Sequence, residues 1–191
     1  MKIVVTGTAC TGKSTFIKDF LEQDERYTLP STTYREFALE NNIPLNREGN
    51  ADSQSAIMQC VRQQFEETRD LSNVIYDRGP MDVLAYSMSL FRNGIIEDDR
   101  YTVNQRAEAV KMMMEFDINQ IFMVRHWKDM VIVEDGVREV DRDYIEEIDN
   151  IMNEVHSMPK FIRTRTVSIE GSRKERVKQA NLYIKNYESI N

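Results

Sequence analysis

Two rhythms of apolar positions alternate along this 191-residue chain. Short unbroken apolar runs rich in β-branched residues predict strands over 2–6, 27–31, 73–76, 118–124 and 165–169. Between them, apolar residues recur three or four positions apart. That spacing predicts helices over 13–21, 34–40, 51–71, 81–91, 104–116, 144–155 and 173–187. In the third helix Ile57, Val61, Phe65 and Thr68 share one face, with Asp52 or Ser53 as its cap. Ala107, Val110 and Met114 mark the buried face of the fifth, and Val177, Ala180 and Ile184 that of the last. Asn41-Asn42 and Pro44 end the second helix, and Asn93-Gly94 ends the fourth. Residues 131–140, carrying Gly136, read as a loop or short hairpin. Strands alternating with helices describe an α/β domain with a mostly parallel sheet. With no repeat, linker or low-complexity segment, residues 1–191 read as one domain.

Composition narrows the partners. The chain carries 25 basic and 32 acidic residues, a net charge of −7. An overall negative field disfavours nucleic acid, which stays a minority reading. That reading rests on the basic stretch 160–178, which holds Lys160, Arg163, Arg165, Arg173, Lys174, Arg176 and Lys178; a solvated face is the alternative. Two cysteines, Cys10 and Cys60, without a C-x-x-C pair, imply neither a disulfide framework nor a zinc site. They fit a reducing, cytoplasmic setting. The apolar run Ile3-Val4-Val5 is too short for a secretion signal, and no stretch has the length of a membrane span. Eleven methionines, with Met112-Met113-Met114 among them, read as adaptable core filler.

The chemistry begins directly after the first strand. Gly7-Thr8-Ala9-Cys10-Thr11-Gly12-Lys13-Ser14 matches G-x-x-x-x-G-K-[ST], the Walker A pattern, between a strand and a helix. A triphosphate is dense negative charge. Successive backbone N–H groups and a helix N-terminus meet it, and the glycines allow close approach. Residues 7–15, Thr15 included, are therefore the expected ATP cradle. Lys13 would reach the β- and γ-phosphates, and the Ser14 hydroxyl would hold Mg²⁺. A plain glycine turn is the bland alternative.

Three further groups face the crevice at the carboxyl ends of the strands. Asp77 closes the third strand. It is a candidate for the Mg²⁺ shell or for accepting the proton of an attacking hydroxyl, and Arg78 beside it could clamp an anion. An ion pair between the two, or a helix cap, is the alternative. Tyr34-Arg35-Glu36-Phe37 follows the second strand, with Glu36 as a candidate base or hydroxyl acceptor and Arg35 as an anion ligand. An exposed helical pair is its alternative. Asp135-Gly136-Val137-Arg138 resembles part of a lid over about 125–142, with Arg138 and Arg142 as cation donors, set against an ordinary hairpin. His126 and Trp127 read as loop anchors and His156 as structural. Gly171-Ser172 is placed to border an adenine.

These residues carry a resemblance. The phosphate loop, Tyr34 to Phe37, the run Asp77-Arg78-Gly79-Pro80-Met81-Asp82-Val83-Leu84-Ala85-Tyr86, Ile121 through Arg138 and Glu175-Arg176-Val177 resemble the P-loop kinase and ATPase group related to the ribosylnicotinamide kinase domain of NadR. The resemblance implies a three-layer P-loop sandwich with a five-stranded parallel sheet in the order 2-3-1-4-5, a short lid, ATP and Mg²⁺. It implies nucleotide and metal binding by Lys13 and Ser14, and Asp77 at the magnesium and substrate centre. Arg35 and Glu36 would line the acceptor pocket, and Arg138 would sit in the lid. The expected activity is transfer of the γ-phosphate to a hydroxyl of a nucleoside, nucleotide or similar small molecule. A kinase of a polynucleotide or modified DNA base, and an NTPase switch without an acceptor, are the alternatives. No N-K-x-D run marks a guanine-specific switch.

Overall fold

In the computed structural model, which describes residues 1–125, 141–157 and 164–190, β1 (Lys2–Thr6) is buried along its whole length. A strand buried on both faces belongs in the middle of a parallel sheet. The sheet order is β2 (Val74–Asp77), β1, β3 (Gln120–Val124), β4 (Arg165–Ile169), with every pairing parallel.

Alternation along these strands feeds two cores. Ile3, Val5, Ile75, Phe122 and Val124 face α1 (Lys13–Leu21) and α7 (Arg173–Glu188). Val4, Val74, Tyr76 and Ile121 face the opposite way. There they meet α3 (Ala51–Glu67), α4 (Pro80–Arg92), α5 (Asp99–Glu115) and α6 (Arg142–Ser157). The result is the expected three-layer sandwich. No helix among the described residues is long and apolar enough to cross a membrane, and no disulfide joins Cys10 to Cys60.

Among the described residues the sheet has four strands rather than the expected five. The strand expected at 27–31 contributes one residue. Thr28 bridges Val74 in parallel, donating its N–H to Asn73 O at 3.2 Å and accepting from Ile75 N at 2.9 Å. The next rung of a parallel ladder needs the amide of residue 30. That residue is Pro30, which has none, and the chain leaves the sheet. The relative order of the other four strands is the expected one.

Two local expectations are corrected. The cap of α3 is Asn50, whose side chain accepts from Ser53 N at 2.9 Å while Asn50 N donates to Ser53 Oγ at 2.8 Å. Asp52 and Ser53 lie inside the first turn. On α5 the buried stripe is Gln105, Ala109, Met112 and Met113, while Ala107 and Met114 are exposed. A helix as rich in methionine and alanine as this one offers two apolar stripes, and packing against α4 selects one.

The basic stretch does not form a single face. Arg173 pairs with Asp19, its Nε at 2.8 Å. Arg165 lies over the Tyr183 ring at 5.8 Å, and Arg176 is buried. Lys160 and Arg163 lie outside the described residues.

Candidate active site

Strand register brings the site together. Val5 pairs with Asp77, and Thr6 pairs with Met123. The phosphate loop therefore leaves β1 beside the end of β2. Gly7 has φ +136°, and a Cβ there would lie 2.5 Å from Val124 O, so the loop's first turn admits only glycine. Gly12 is left-handed at φ +82° and opens α1.

Inside the loop Thr11 Oγ1 donates to Thr8 O at 3.1 Å, and Lys13 Nζ donates to the same carbonyl at 2.7 Å. Lys13 is folded back onto its own loop. Burial, with Arg78 adding repulsion, pulls its ammonium down to about 7 against the opposing pull of Asp77 and Asp82. Ala9, Cys10, Lys13 and Ser14 line one crevice. Thr8 is fully buried and its hydroxyl has no hydrogen-bond partner among the described residues. Ser14 and Thr15 are exposed, and Thr15 is outside the crevice lining.

Asp77 lines the same crevice as Ser14, and both also line the adjoining groove over α1. Asp77 Oδ1 is buried without a hydrogen-bond partner among the described residues. Arg78 does not take it. Arg78 Nη1 donates to Asp82 Oδ1 at 3.3 Å and Nη2 to Tyr86 Oη at 3.1 Å. Its guanidinium lies over the rings of Tyr34 and Tyr86, at 5.3 and 5.0 Å. Arg78 has φ +78°, a strained backbone held by these contacts. Asp82 is the junction of this region. It also accepts from Thr6 Oγ1 at 2.7 Å and from Gly79 N at 2.9 Å, which caps α4.

The motif residues of α2 (Tyr34–Glu40) separate. Arg35 lines the crevice. Glu36 does not reach it. Its carboxylate accepts from Thr33 N and from Thr33 Oγ1, both at 2.8 Å, in a capping box. Those donors hold its carboxyl below the usual range. Arg142 is exposed at the start of α6. Arg138, with His126, Trp127 and Gly136 of the expected lid, lies outside the described residues.

Sequence reasoning missed Gln54. It is 4% exposed on α3, lines the crevice beside Leu45, Ile57 and Val61, and its amide has no hydrogen-bond partner among the described residues. Polar Gln54 among apolar neighbours was the available signal.

His156 is buried near the site, with neither ring nitrogen hydrogen-bonded among the described residues. Burial lowers its pKa, Asp82 opposes this, and Arg125 adds to it. The unfolded chain therefore binds its proton more readily. Stability contributed by neutral His156 is present above about pH 6.5 and lost below it, by at most about 1.4 kcal/mol per pH unit. His156→Leu is expected to flatten the fall of the melting midpoint between pH 7 and 5 relative to the parent. Parallel curves for the two proteins would exclude this role.

No group of three or more His, Cys, Asp or Glu among the described residues could hold a metal alone. Ser14 and Asp77, whose Oδ1 has no hydrogen-bond partner among the described residues, fit a Mg²⁺ ion that takes most of its ligands from phosphates and water.

The family model described as an AAA domain matches residues 2–176. No curated protein matches the sequence. Among solved structures, deoxyadenosine kinase from M. mycoides with bound dATP superposes at a TM-score of 0.69 with 14% identity, covering 97% of this chain and 100% of that one. The same enzyme with dCMP and a flexible dCDP gives 0.65 at 12% identity, with the same coverage. Thymidylate kinase from Candida albicans gives 0.66 at 14% identity, covering 98% and 92%. At these identities the likeness establishes the fold, a parallel α/β P-loop sandwich.

Proposed function

The chain belongs to the AAA-domain family, and from that premise we propose that it is an ATP- and Mg²⁺-dependent kinase of a nucleoside or nucleotide. The observation that carries this reading is one crevice with a mixed lining. Lys13, Ser14 and Asp77 line it together with Arg35, Arg78, Tyr34, Tyr86 and Gln54. The likeness to deoxyadenosine and thymidylate kinases supports the same substrate class.

The residues divide the work. Lys13 leaves Thr8 O and meets the β- and γ-phosphates. Mg²⁺ held by Ser14 Oγ, Asp77 and the nucleotide would neutralise charge on those oxygens. Two carboxylates line the crevice, and Asp82 is committed to Thr6, Gly79 and Arg78. Asp77 is thus the carboxylate available to hold the metal or to take the proton of the acceptor hydroxyl. Arg35 and Arg78 position the acceptor's anionic or hydroxyl groups. Gln54, a primary amide in an apolar wall, matches the donor and acceptor edge of a base, with aromatic faces of Tyr34 and Tyr86 nearby.

The test is transfer of label from γ-labelled ATP to nucleosides (ribosylnicotinamide among them), mononucleotides, and plain and hydroxymethylated DNA. Label on a nucleoside or nucleotide is the expected result. Gln54→Leu should then raise the KM of that acceptor about 10- to 100-fold, as expected for an unpaired polar edge, with the KM for ATP unchanged. Label only on DNA would replace the acceptor class, and label released only as free phosphate would replace the kinase by an NTPase.

A further inference from the structure

The closing helix carries an arginine in an unusual place. Arg176 lies in the first turn of α7, 5% exposed. A cation there opposes the helix dipole, and burial works against its charge. Its guanidinium donates to main-chain carbonyls of three separate segments. Nε meets Gly171 O at 2.9 Å, Nη1 meets Thr11 O at 2.6 Å, and Nη2 meets Arg125 O at 2.9 Å. Gly171 lies in the turn between β4 and α7, Thr11 in the phosphate loop, and Arg125 at the end of β3. All three segments emerge on the crevice side of the sheet.

We infer that Arg176 is a positioning residue of the nucleotide site, setting the phosphate loop through Thr11 and tying it to the β4–α7 turn. The inference rests on reading residues 7–15 as a nucleotide cradle. Its physical core is the trans peptide between Thr11 and Gly12. In a trans peptide the C=O and the next N–H point in opposite directions. A Thr11 carbonyl held by Arg176 fixes the Gly12 N–H on the side away from α7, toward the crevice. That donor is two positions from the Ser14 N–H at the start of the helix, where anions bind. The same side chain holds Gly171, at φ +92°, at a fixed distance from the loop. Lysine keeps the charge at this position but cannot span three carbonyls.

The test uses binding of a fluorescent ATP analogue, which needs no acceptor. The full chain is compared with Arg176→Met, Arg176→Lys and Phe65→Leu. Phe65 packs on the opposite face of the sheet, and its replacement supplies a control for lost stability. Arg176→Met is expected to raise the nucleotide Kd about tenfold or more, the scale of lost charge-assisted hydrogen bonds, with Arg176→Lys in between. Phe65→Leu should bind as the parent does despite a lower melting midpoint. In turnover the ATP KM should rise while the acceptor KM stays. If Arg176→Met does not fold, Arg176→Lys carries the test, with an expected loss of several-fold. Parent-like Kd in the folded Arg176 variants, or an equal loss in Phe65→Leu, would overturn the inference. A parent chain that binds no nucleotide, or binds it as Lys13→Ala does, would overturn the underlying cradle as well.

Discussion

Lys13→Ala is expected to lower phosphoryl transfer about 10²- to 10³-fold or more, with a melting midpoint within a few degrees of the parent. The two halves of this result have separate causes. Lys13 is the cation that the phosphate loop itself brings to the crevice, so on the proposed function its loss removes charge stabilisation where charge develops. In the free protein the same amine is buried and near Arg78, and it makes one hydrogen bond to Thr8 O at 2.7 Å. Burial of a cation with so little compensation contributes little to folding. Single-turnover transfer measured beside a thermal melt checks both halves. Turnover close to the parent's would remove the phosphate-loop assignment altogether.

Asp77→Asn is expected to lower kcat about 10³-fold while nucleotide binding stays measurable. The substitution keeps shape and removes charge. Asp77 makes no ion pair with Arg78, whose carboxylate partner is Asp82 at 3.3 Å, and its Oδ1 has no hydrogen-bond partner among the described residues. The loss therefore falls on chemistry rather than on folding. A kinetic comparison at saturating ATP, together with a melt, decides the matter. A lower midpoint with unchanged kcat would make Asp77 a structural residue.

The periodic signals were legible in the sequence wherever one principle dominated. The helices 13–21 and 34–40 and the strand 165–169 end where expected, because glycine loops, caps and short apolar runs act locally. The phosphate loop was legible for the same reason. Its motif is contiguous, and its function depends on backbone. Apart from the cap of α3, the failures are relational. Whether 27–31 pairs as a strand depended on which amide the neighbouring edge needed, and that amide belongs to Pro30. Glu36 belongs to its own helix's capping box, which the sequence pattern Thr33-x-x-Glu36 allowed but did not choose over a crevice role. Gln54 reached the crevice through the packing of α3, and Arg176 reached the phosphate loop across 165 positions of chain. Asp82 was visible only as part of a family-like run, although it gathers Thr6, Arg78 and Gly79.

The single rung at Thr28 has a consequence for how such a protein changes its substrate. The segment between residues 29 and 50 carries Arg35, Tyr34 and Leu45 to the crevice, and it hangs from the sheet by one residue rather than by a strand. The phosphate loop and Asp77 are carried instead by β1 and β2, which are paired along the ladder. Insertions or deletions after Pro30 leave that ladder untouched. On the proposed function, that wall of the crevice is a separable module, open to revision by length as well as by residue, beside a phosphate loop that leaves the middle strand of the sheet.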